Sequence, residues 1–67
     1  MSDYQLKNKI ILVTGANQGI GKAASIRYAS LGAKVILLGR NLESLEQVYD
    51  EIIKLKYNEP MISLMDL

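Results

Sequence analysis

The residues Thr14 to Gly21 read TGANQGIG, with three glycines directly behind the apolar run IILV. Glycines at a strand-to-helix junction can bind phosphate. Gly15 can form the tight turn, Gly19 can let backbone N–H groups approach a diphosphate, and Gly21 can let the following helix pack closely on the strand. The helix N-terminus adds unpaired N–H donors and a partial positive charge. The competing reading is a plain strand-to-helix turn, which rarely needs three glycines. Lys22, next to Gly21, invites comparison with the P-loop of nucleoside triphosphatases. However, five residues separate Gly15 from Gly21 where that loop has four, and Ala23 replaces the Ser or Thr that would hold magnesium.

The elements around the glycines can position them for this chemistry. Lys9 to Thr14, KIILVT, is apolar on both alternating faces, as in a central strand covered from two sides. From about Gln18 to Leu31, the residues Ile20, Ala23, Ala24, Tyr28 and Leu31 recur at helical spacing, and Gly32 follows where a left-handed cap falls. Ala33 to Gly39, AKVILLG, reads as a second buried strand. Asn41 can cap a second helix with Glu43 and Glu46 in its first turn and Lys54 and Lys56 in its last turn. Leu42, Leu45, Val48, Tyr49 and Ile52 share one face of it. Tyr57 to Pro60 break the pattern, and Met61 to Leu67, MISLMDL, reads as a third strand.

Strand, helix, strand, helix, strand with short connections predicts an α/β fold, the N-terminal βαβαβ half of a Rossmann domain with its doubly wound parallel sheet. Right-handed crossovers place both helices on one face. The other face and the free edge of the first strand are left uncovered, so residues 1–67 read as the N-terminal part of a single, incomplete dinucleotide-binding domain. Composition agrees with a small folded unit: 49% hydrophobic, 22% charged and a net charge of +1. No basic cluster suited to nucleic acid or an anionic membrane is present. The absence of Cys and His removes disulfides, thiolate zinc sites and the commonest catalytic base. With no leader pattern and no long apolar run, the expected location is the cytoplasm.

Thr14, Gly15, Gly19 and Gly21 match the TGxxxGxG pattern of the short-chain dehydrogenase/reductase family, and the flanking stretch from Leu6 to Leu45 resembles the opening of such a protein. The resemblance is strongest to bacterial oxidoreductases without assigned substrates. It implies that Asn17, Gln18, Gly19 and Ile20 lie against the ribose and diphosphate of a dinucleotide. It also implies that Asp66 and Leu67, in MDL, belong to the adenine pocket. The alternative for Asp66 is an ordinary polar strand end. For a full-length form, the resemblance implies a small carbonyl or alcohol substrate and is compatible with a homo-oligomer.

A carboxylate that accepts both ribose hydroxyls is expected about 20 residues after the glycines. Gly39 and Arg40 stand there instead. A carboxylate would repel the 2′-phosphate of NADP, whereas a guanidinium can bind it in a bidentate way, so NADP is expected ahead of NAD. The alternative is that Arg40 is a solvated residue before a helix. Asn41 suits a helix cap and a phosphate contact equally, and is expected to serve as both in the cofactor site.

The family's proton donor is a Tyr in a YxxxK motif. Tyr4, Tyr28, Tyr49 and Tyr57 are followed four positions on by Asn8, Gly32, Ile53 and Met61, so no catalytic residue is assigned. Tyr28 and Tyr49 read as core or partly buried helix residues. The sequence therefore predicts the cofactor-binding segment of an NADP-dependent oxidoreductase. The alternative is a non-catalytic nucleotide-binding or relict polypeptide ending at Leu67.

Overall fold

The computed structural model describes residues 5–16 and 19–65. Strand β1 (Ile10–Thr14), helix α1 (Gly19–Ser30), strand β2 (Lys34–Gly39), helix α2 (Leu42–Lys54) and strand β3 (Met61–Leu64) follow in the predicted order. The strands form one parallel sheet in the order β1-β2-β3, with Ile10 beside Lys34 and Ile36 beside Met61. This is the incomplete Rossmann-type arrangement expected from the sequence.

Strand periodicity and the crossovers decide where the core lies. Val13 on β1 and Val35 and Leu37 on β2 point to the face covered by the helices, where they meet Leu45, Val48 and Ile52 of α2; all six are buried. The residues between them emerge on the opposite face. Ile10 is 69% exposed and Leu12 57%, so β1 is covered from one side only among the described residues. Its outer edge carries no paired strand there.

The two helices use different chemistry. In α2 the predicted face is correct at Leu45, Val48 and Ile52, Tyr49 is half-buried, and Leu42 at its start is exposed. In α1 the predicted apolar stripe is not the buried one. Ile20 is 90% exposed and Ala23 is exposed, while Ser25 and Ala29 are fully buried or nearly so. Gly21, Ser25 and Ala29 recur every four residues, and this row of small side chains lets α1 lie close to the sheet. The Ser25 hydroxyl donates to the Gly21 carbonyl at 2.8 Å, which satisfies a polar group that burial would otherwise penalise.

Both helices end in the same capping motif. After α1, Gly32 takes φ 95°, its N–H donates to Ala29 and the N–H of Ala33 donates to Tyr28. After α2, the N–H groups of Lys56 and Tyr57 donate to Ile53 and Ile52. Lys56 thus lies beyond the helix, not in its last turn, and holds the left-handed position at φ 64° where glycine is favoured. β3 ends at Leu64, earlier than the expected Leu67, with Met65 irregular.

Candidate functional site: the glycine turn and the ends of the strands

The parallel register brings the C-terminal ends of β1 and β2 and the N-terminus of α1 to one edge of the sheet. In open α/β sheets, ligands bind outside these strand ends. Thr14 closes β1 opposite Leu38, and the N–H of Gly15 donates to the Leu38 carbonyl at 3.1 Å, which fastens the turn to β2. Gly15 has φ 64°, a left-handed conformation that side chains with a Cβ rarely adopt.

The three glycines have separable roles. A Cβ on Gly21 would stand 2.1 Å from the Gly15 carbonyl oxygen, so this residue permits the contact between helix and turn. A Cβ on Gly19 would meet nothing within 4 Å. Packing therefore does not require glycine at Gly19, the position proposed to admit the diphosphate. Ile20 lies beside it and is almost wholly exposed. Asn17 and Gln18 fall outside the described residues.

At the adjacent strand end, Gly39 is buried and Arg40 is exposed. The Asn41 side chain accepts from the N–H of Ser44 at 3.0 Å, and its backbone carbonyl accepts from Leu45, so the capping role expected of it is filled. Its side-chain oxygen is engaged in that cap. The N–H of Met65 donates to the Gly39 carbonyl at 2.7 Å and holds the end of β3 beside this corner. Asp66 and Leu67, the expected adenine-pocket residues, fall outside the described residues.

Lys22 takes no part in this corner. Its ammonium pairs with Glu51 of α2 at 2.9 Å. Tyr28 and Tyr49 are half-buried and pack against the core. Among the described residues, no group of three or more acidic, His or Cys side chains could hold a metal, and no helix is long and apolar enough to cross a membrane. Sequence reasoning missed the supporting role of Ser25, although the four-residue spacing of Gly21, Ser25 and Ala29 was a usable signal.

Similarity to known proteins bears on the same residues. Residues 9–67 match the family model described as short chain dehydrogenase. The uncharacterized oxidoreductase YciK of Escherichia coli K12 is 50% identical over 62 residues, covering 92% of this chain and 25% of that protein. A solved short chain dehydrogenase from Escherichia coli CFT073, complexed with NADPH, superposes with a TM-score of 0.89 at 48% identity, covering 100% of this chain and 28% of that one. Another from Pseudomonas syringae gives a TM-score of 0.91 at 46% identity, covering 97% of this chain and 26% of that one. The chain thus spans about a quarter of the length of these relatives. With the strand order, the glycine turn and the family match in agreement over residues 9–67, the chain belongs to the short-chain dehydrogenase family.

Proposed function

We propose that this chain is the cofactor-binding segment of an NADP-dependent oxidoreductase, whose full form moves hydride between NADP and a small carbonyl or alcohol. The observation that carries the reading is the division of labour among the glycines: Gly15 and Gly21 are required by backbone geometry, whereas Gly19 faces open space. A turn needing only to connect β1 and α1 has no use for the third glycine. A diphosphate approaching the α1 N-terminus does, since it must reach the backbone N–H groups directly.

Thr14, Gly15, Asn17, Gln18, Gly19, Ile20 and Gly21 form the proposed ribose and diphosphate contacts. Arg40, exposed at the end of β2, supplies the charge for the 2′-phosphate, and Asn41 holds the start of α2 beside it. Asp66 and Leu67 complete the proposed adenine pocket. The NADPH bound to the Escherichia coli CFT073 relative supports the choice of cofactor. The cofactor supplies the hydride, and the role proposed for these residues is to bind and orient it.

Calorimetric titration with NADPH and NADH tests the reading, in a protein carrying this segment at the family's length. Tighter binding of NADPH, lost in Gly19→Val, is expected. Equal binding of the two cofactors would remove the role given to Arg40, and unaltered binding in Gly19→Val would remove the diphosphate turn.

A further inference from the structure

At the opposite end of the strands, the C-terminus of α1 and the loop after α2 enclose a cleft of about 500 Å³ lined by Arg27, Lys56, Tyr57 and Asn58, among others. A second hollow of about 270 Å³ shares Gly32 and Asn58 with it and adds Lys7. The larger cleft is within the size range of small-ligand sites. Three cations line these two neighbouring hollows, and no carboxylate does so among the described residues. That imbalance contrasts with a chain whose net charge is only +1.

Helix polarity accounts for only part of this charge. Arg27 lies in the last turn of α1 and Lys54 in the last turn of α2, so each negative helix end already has its cation. Lys7 and Lys56 are additional. Lys56 also occupies the left-handed capping position that Gly32 fills after α1, a conformation unfavourable for a residue with a Cβ. Lys56 therefore carries a local conformational cost. The amide of Asn58 donates to the Gly32 carbonyl at 2.8 Å and fastens the two capping loops together, giving the cleft a fixed floor.

We propose that this cleft is a second binding site, distinct from the glycine turn, for a small organic phosphate. Arg27 and Lys56 supply charge for the phosphate, and half-buried Tyr57 supplies an aromatic surface for a ring-bearing body. The site lies at the N-terminal ends of the strands and is independent of the cofactor reading.

The test is calorimetric titration with phenyl phosphate at one ionic strength, using soluble protein that carries this segment. Wild type is expected to bind it, and Arg27→Ala and Lys56→Gly are each expected to weaken binding about tenfold. Lys22→Ala, on α1 away from the cleft and paired with Glu51, should leave the affinity unchanged. Lys56→Gly should also raise Tm, because glycine relieves the left-handed backbone, so weaker binding by this variant cannot be ascribed to unfolding. Absence of binding in wild type, retained affinity in Lys56→Gly, or loss of binding in Lys22→Ala would each overturn the proposal.

Discussion

Gly21 of α1 lies so close to Gly15 of the preceding turn that a Cβ on it would stand 2.1 Å from the Gly15 carbonyl oxygen. The obstacle is backbone on both sides, so no side-chain rotation can relieve it. Gly21→Ala should destabilise the fold by roughly 1–3 kcal/mol, in the range of other overpacked interiors. Gly19→Ala, with open space around the added carbon, should be neutral or stabilising by up to about 1 kcal/mol. The same change should weaken NADPH binding about tenfold by blocking a phosphate contact. Denaturation midpoints and cofactor titrations on both variants separate the two roles, and equal stability losses would show that the turn is purely structural.

Arg40 should set the preference between the two nicotinamide cofactors. A charge-assisted hydrogen bond contributes about 1.5–3 kcal/mol, and exposure of the guanidinium favours the lower end. NADP should therefore be preferred over NAD by roughly tenfold to a hundredfold in kcat/KM, with Arg40→Ala removing most of the difference. An NAD-favouring ratio in wild type would place Arg40 in solvent.

Tyr49 should titrate later than an ordinary tyrosine. Its hydroxyl donates to Glu59, and this hydrogen bond, followed by slight burial and the negative charges of Glu59 and Asp50, raises its pKa above the usual 10.0. A raised pKa means that the folded state favours the neutral phenol. Its contribution to stability is therefore complete below pH 10 and is lost as the pH rises through the higher folded value. Ultraviolet titration should show a late-ionising component that disappears in Tyr49→Phe and moves to lower pH in Glu59→Gln.

The uncovered sheet face should govern the behaviour of the 67-residue chain in isolation. Ile10, Leu12 and Met61 are at least half exposed, and the outer edge of β1 is unpaired among the described residues. Such a surface invites self-association. Light scattering should detect oligomers or aggregates, and replacing Ile10 and Leu12 together by Lys should reduce them. A monomer with a cooperative thermal transition in the unaltered chain would contradict this.

Local rules were enough to read the element order and the glycine turn from the sequence. β1 and β2 were legible because apolar residues ran without interruption, α2 because Leu45, Val48 and Ile52 recur at helical spacing between an Asn41 cap and a basic end. The TGxxxGxG spacing located the turn and the family without any coordinates. The buried side of α1 was hinted at by the four-residue row of Gly21, Ser25 and Ala29, but apolar spacing pointed to another side and the tertiary structure decided between them. The helix must approach the sheet closely enough for Gly21 to touch Gly15, and that distance selects the small residues Ser25 and Ala29 over the larger Ile20. Hydrophobicity along the sequence carries no information on separation between elements. The cationic cleft was hidden for the same reason: Arg27 and Lys56 are far apart in sequence and line one cleft only because parallel crossovers return both helix ends to one end of the sheet.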